Sequence, residues 1–174
     1  DTSAYELQQA YQGGDEALVR KKAEEIINQI VGDQSANLYK DWDGDKTIDN
    51  PSDGYGLLIN GDQSGYLDGM IHHSSYSAKE NGATNEIRRH AGHVAICIQN
   101  IEGWAPELRD LAIRIAHSSQ DQNVEADINK AFVLADQILN GVDIEGNESI
   151  DPIAGEGGAL TAIEHSGYMS DMDI

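Results

Sequence analysis

The chain has 174 residues, and its 11 Lys and Arg against 31 Asp and Glu leave a net charge of −20 and a pI near 4.3. That length suits one compact domain. The charge excludes a binder of nucleic-acid phosphates and docking on anionic lipid through clustered Lys and Arg, while cations become natural partners. No stretch reaches the ~20 apolar residues of a membrane span. The single cysteine, Cys97, excludes an internal disulfide framework and an all-cysteine metal site.

Strand-like alternation is nearly absent, and helical periodicity dominates. A short helix is expected over Ala4–Tyr11. A longer one follows over Asp15–Val31, with Ala17, Leu18, Ala23, Ile26, Ile27 and Ile30 at three-and-four spacing between Gly13-Gly14 and Gly32. Residues 33–62 are rich in Gly, Asp, Asn and Ser and read as one long loop, a length that implies a function or an ordering ligand. Helices are then expected over Tyr66–Lys79, over Thr84–Ile101 with Thr84 as N-cap, and over Ala105–Ser118 with Pro106 in its first turn. Val124–Asn140, ended by Gly141, and Ala159–Met169 flank a second acidic loop over 142–157. The expected fold is an all-α helical bundle forming a single domain over 1–174. Within it, repeats at about 14–80 and 122–172 are linked by helices at 84–118.

The repeat rests on Asp41-Trp-Asp-Gly-Asp-Lys-Thr-Ile-Asp49, which matches Asp143-Ile-Glu-Gly-Asn-Glu-Ser-Ile-Asp151 at an offset of 102 positions, 143 − 41. Gly56 and Leu58 fall opposite Gly158 and Leu160 at the same offset. Beyond that two registers are open: Ser64-Gly-Tyr66 matches Ser166-Gly-Tyr168 at the same offset, and Ile71–Tyr76 matches Ile163–Tyr168 as after a ten-residue insertion. The second is favoured and sets His73 opposite His165. A helix–loop–helix unit cannot bury its apolar face alone, so the copies are expected to share a core.

Alternate oxygen-bearing residues along a loop converge on a hard cation that takes six to eight oxygens at about 2.3–2.6 Å. The first loop supplies Asp41, Asp43, Asp45, Thr47 through its carbonyl, and Asp49, with Asp53 as a closing carboxylate. The second supplies Asp143, Glu145, Asn147, Ser149, Asp151 and Glu156, and is expected to bind more weakly because Asn147 replaces an aspartate. Both resemble EF-hand loops over about nine residues, and that resemblance implies that Ile48 at position eight pins the loop to the core. They depart from the EF-hand at position six, where Lys46 and Glu148 replace glycine, and at position twelve, where Ser52 and Ala154 replace glutamate. Calcium is the expected ion at both. The plainer alternative is a pair of metal-free Asx-turn loops. A groove-opening switch would need Met-rich faces, and there are 3 Met in all.

His90, His93 and Cys97 fall within about 60° of one another on one helix. With His73, His117 or His165 on facing helices they could hold a transition metal or haem. The alternative is half-buried histidines hydrogen-bonded within the bundle, with Cys97 a small buried hydrophobe. Covalent haem attachment is excluded for want of Cys-x-x-Cys-His. No phosphate loop, Gly-x-Ser-x-Gly or His-Glu-x-x-His occurs, and a hydrolase with structural calcium would lack a nucleophile. Trp42 and Trp104 are read as packing anchors.

The run Asp-x-Asp-Gly-Asp-x-x-Ile-Asp followed by Pro-Ser-Asp-Gly-Tyr-Gly-Leu-Leu, and the later Gly-Glu-Gly-Gly-Ala-Leu-Thr-Ala, resemble loops of uncharacterised secreted bacterial proteins over about a third of the chain. The resemblance carries no established activity and implies an exported, calcium-ordered helical module, for which the first expectation is a non-enzymatic role. It would sit outside the cell or at its surface and act in assembly or adhesion, by self-association or with another surface protein. The start at Asp1 fits equally an exported chain whose leader is removed and an engineered start.

Overall fold

The computed structural model describes residues 2–59, 61–119 and 123–170, so the outermost positions of the second repeat, 122 and 171–172, lie outside the described residues. Six helices follow in order: α1 (Thr2–Gln12), α2 (Glu16–Val31), α3 (Tyr66–Lys79), α4 (Asn85–Ala116), α5 (Glu125–Asn140) and α6 (Ala159–Ser170). No β-strand occurs among the described residues, and the fold is an all-α helical bundle. No helix is long and apolar enough to cross a membrane among those residues.

The expected break between two helices near residue 103 is absent, and α4 runs unbroken for 32 residues with Pro106 inside it. Proline removes one helical hydrogen bond and crowds the preceding turn. Against that stands a stripe at alternating four-and-three spacing, Ile101, Ala105, Leu108, Ala112 and Ile115, every member at most 5% exposed. Continuous burial of that stripe outweighs one lost bond. Thr84 caps the helix as expected, its Oγ1 accepting from the Ile87 N–H at 3.2 Å.

The chain divides into two compact units interleaved in sequence: residues 1–66 with 105–136, and residues 67–104 with 137–174. In the first, α1 and α2 form an antiparallel hairpin. Gly13 and Gly14 make the turn, and Asp15 caps α2 by accepting from the Leu18 N–H at 3.0 Å. Ser3 bonds Glu25 and accepts from Gln29, while Lys22 bridges Glu6 and Glu25, each at 2.8 Å. The unit's core holds Leu7, Ala23, Ile27, Leu111, Ile115 and Ile128. In the second unit, Leu67, Ile87, Val94, Cys97, Ile98, Ile101 and Ala162 are buried.

Each unit contains one acidic loop, and each loop returns to the helix it left through a glycine that nothing larger could replace. A Cβ on Gly56 would stand 2.8 Å from the Val31 carbonyl carbon, and one on Gly158 would stand 2.5 Å from the Gly141 nitrogen.

Candidate metal sites

Loop 1 is organised by a residue outside it. Glu24, on α2, is wholly buried. Its Oε2 accepts the N–H groups of Trp42 at 2.7 Å and Asp43 at 3.1 Å, and its Oε1 accepts that of Asp49 at 2.7 Å. One turn on, buried Asn28 donates to the carbonyls of Asp49 and Lys40 and accepts from the Lys40 N–H. Two side chains on one helix face thus hold both ends of the Asp41–Asp49 segment. Trp42 is the anchor expected of it: 8% exposed, its Nε1–H on the Leu38 carbonyl, its ring against His117 and under the Lys40 ammonium.

Within the loop the aspartates fold the backbone around themselves. Asp41 accepts from the Gly44 and Lys46 N–H groups, Asp43 from Asp45, and Asp45 from Thr47, at 2.6–2.9 Å. Carboxylate oxygens of Glu24, Asp41 and Asp43 lie within 4.8 Å of one another. Thr47 is exposed at the loop tip. Asp49 Oδ1 pairs with Lys21 at 2.9 Å, while its Oδ2 is buried without a partner. Asp53 stands apart from the group, taken up by the Tyr66 hydroxyl and the Tyr55 N–H. Ile48 is 48% exposed and does not pin the loop; Glu24 and Asn28 do so from below.

Loop 2 takes the same local course. Asp143 accepts from the N–H groups of Gly146, Asn147 and Glu148, and Asn147 from that of Ser149. Position six, where an EF-hand has glycine for a sharp turn, has positive φ in both loops, 76° at Lys46 and 67° at Glu148. The clamp comes from the opposite direction in sequence: Glu156, wholly buried, accepts the Asp151 N–H at 2.7 Å and keeps a buried Oε2 without a partner. Asn100 on α4 staples the exit by donating to the carbonyls of Ile153 and Gly157. Glu145 is exposed. Asn147 and Ser149 both donate to Asp151, at 3.1 and 3.5 Å. No three carboxylates of this loop converge as those of loop 1 do.

The electrostatics of the two loops differ accordingly. Burial pushes the Asp43 carboxyl up, and the charges of Asp45, Asp41 and Asp49 push the same way. Burial also raises Glu24, against the opposing pull of its three backbone N–H donors. Asp143 is held low, chiefly by the Glu148 N–H. Carboxylate oxygens within 4.8 Å of one another repel at the effective dielectric of a partly buried site, and the backbone N–H groups on Glu24, Asp41 and Asp43 offset part of it. A cation among the three carboxylates would relieve what remains of that repulsion.

The second unit brings three histidines together. His90 and His93, one helical turn apart on α4, meet His165 of α6, with Nδ1···Nδ1 distances of 2.7 Å for His90–His165 and 3.4 Å for His93–His165. Tyr168 lies against His90 and His165. Burial, then the neighbouring charges, lowers both His93 and His165. The other three sequence candidates lie elsewhere. His73 is exposed on α3, and His117 stacks on Trp42 in the first unit. Cys97 is fully buried with its thiol pushed up to about 11 by burial, and a Cβ on Gly157 would meet its Sγ at 2.6 Å.

Comparison with protein-family models, with curated proteins and with solved structures finds no match. The chain thus contains an acidic group and a three-histidine group that could each hold a metal ion, and their chemistry is read from the residues alone.

Proposed function

We propose that the protein is a non-enzymatic, calcium-stabilised helical module that works outside the cell in assembly or adhesion. The observation that carries this reading is the convergence of the Glu24, Asp41 and Asp43 carboxylates within 4.8 Å on a loop already wound around its aspartates. Carboxylates with carbonyls and water are the ligand set of a hard cation, and calcium tolerates the irregular geometry that magnesium does not. Asp41, Asp43 and Asp45 would hold the ion in loop 1, with Glu24 closing the site from α2. Asp143, Asn147, Asp151 and Glu156 would hold a weaker one in loop 2, where the unpartnered Glu156 Oε2 is the oxygen that gains most. The ion would supply charge neutralisation and fix the loops; no reaction step is assigned to it.

Extracellular calcium is abundant enough to fill weak sites, and a ligand that binds only the folded state stabilises it by mass action. Assembly has its own support. Ile144 on loop 2 and Leu160 and Ile163 at the start of α6 are each more than half exposed, and copies carrying −20 would approach one another only with cations between them. The test is calcium counted by equilibrium dialysis on the chain and on Asp41→Asn and Asp143→Asn. Two ions per chain, each variant losing one and Asp143→Asn the weaker, supports the reading. Calcium absent from the chain, or unaffected by either substitution, removes it.

A further inference from the structure

We propose that His90, His93 and His165 form a second kind of metal site, a three-imidazole centre for one divalent transition-metal ion of the zinc class, with its fourth position open to water or a small anion. It is independent of the calcium reading, because calcium takes oxygen ligands while imidazole nitrogen suits zinc, copper and nickel.

The first argument is geometric. Zn–N bonds of about 2.0–2.1 Å at tetrahedral angles put ligand nitrogens about 3.3 Å apart. His93 and His165 already stand at 3.4 Å. His90 and His165, at 2.7 Å, need to open by only ~0.6 Å to meet the same requirement. That closeness also leaves no room for a macrocycle between the rings, so the arrangement favours a single ion over haem.

The second argument is hydrogen-bond accounting. The Nδ1 of His165 faces the Nδ1 of both other rings. A neutral imidazole nitrogen is either a donor with one proton or an acceptor with one in-plane lone pair. No choice of tautomers lets that one atom make two well-directed bonds. A cation takes all three lone pairs at once.

The third argument is the company the site keeps. His90 is 7% exposed, and the i, i+3 spacing on α4 fixes two ligands on one face before α6 supplies the third. No carboxylate or thiol joins the three nitrogens among the described residues. Arg89 and Glu164 flank the group with opposite charges, and the Glu164 carboxylate accepts from the Tyr168 hydroxyl. Three histidines with no fourth protein ligand is the composition of an open zinc site.

The experiment is calorimetric titration of the calcium-saturated chain with zinc, after a nitrogen-donor chelator selective for zinc has removed any carried through purification. The expected result is one zinc per chain with a dissociation constant below about 1 μM. His93→Gln and His165→Gln, both at part-exposed positions, should each weaken it by more than the roughly 10–100-fold that loss of a supporting group causes. His73→Gln should leave it unchanged. Cobalt in place of zinc should give the intense visible bands of a tetrahedral ion, lost in the double variant His93→Gln/His165→Gln. Zinc that binds no tighter than about 100 μM, zinc that binds the double variant equally well, or a cobalt spectrum typical of six oxygen ligands would overturn the proposal. The cobalt spectrum of the unaltered chain decides the matter even if a variant fails to fold, and calcium-dependent melting is a separate readout.

Discussion

Glu24 ties loop 1 to α2, since three backbone N–H groups of the loop end on its two oxygens with no solvent contact. In Glu24→Gln one of those donors would face an amide NH2. Denaturant unfolding should register a loss of about 2–4 kcal/mol, and calcium affinity in loop 1 should fall with it; a change under ~0.5 kcal/mol would mean the clamp is dispensable. Nothing in the sequence around Glu24 singles it out. It sits among the charged positions of an amphipathic helix, 17 residues before Asp41 (41 − 24), and a side chain buried by what folds over it later leaves no local signal. Glu156 lies on the loop itself, where the sequence names it as a closing carboxylate; that it holds the Asp151 N–H from within is visible only in the fold.

Cys97 is the other residue whose environment makes a firm prediction. With its folded pKa about 11 against an ordinary 9.0, the unfolded thiol ionises first. The cysteine therefore lowers stability progressively as pH rises from 9 to 11 and contributes no slope below that range. At pH 8 an alkylating reagent should label it only at the rate of unfolding, and Cys97→Ser should flatten the alkaline limb of the stability profile. Rapid labelling of the native chain would show that the thiol is not sealed beneath Gly157.

At the scale of elements all six helices were expected near where they lie; α2, α4 and α5 bury periodic apolar faces, while α3 and α6 bury two residues each. The α3 limits coincide with the expectation, Tyr66–Lys79. The difference lies in α4, where Pro106 reads as the first turn of a separate helix although the stripe Ile101, Ala105, Leu108 runs past it without losing register. The histidine cluster was half legible. The i, i+3 pair is a property of one helix, but which distant histidine meets it is decided by tertiary packing, and His165 could not be told from His73 or His117 by spacing.

The loops carry the element-scale prediction. Lys46 and Glu148 hold positive φ with a side chain present, a conformation that disfavours Cβ by about 1–2 kcal/mol. Lys46→Gly and Glu148→Gly should therefore each raise stability by up to about 1 kcal/mol, after the entropy glycine adds to the unfolded chain. Neither residue is assigned as a calcium ligand, so the calcium count should not change. Destabilisation by either substitution would show that those side chains carry contacts outweighing the strain.

For the whole molecule the dominant fact is charge. A chain of −20 repels itself when folded, and its loops concentrate that repulsion where Asp41, Asp43 and Glu24 meet. Calcium bound at the two loops, as proposed, would relieve it where the carboxylates lie close together. General salt screening acts everywhere, is weakest for partly buried pairs and does not distinguish calcium from magnesium. The measurement that tests this most directly is thermal unfolding in excess calcium, after EDTA, and with magnesium at matched ionic strength. The account predicts that EDTA lowers the midpoint by roughly 10 °C, as expected for two sites held well above their dissociation constants in a chain of this size, and that magnesium restores only a minor part. A melt unchanged by EDTA, or restored equally by magnesium, would contradict it.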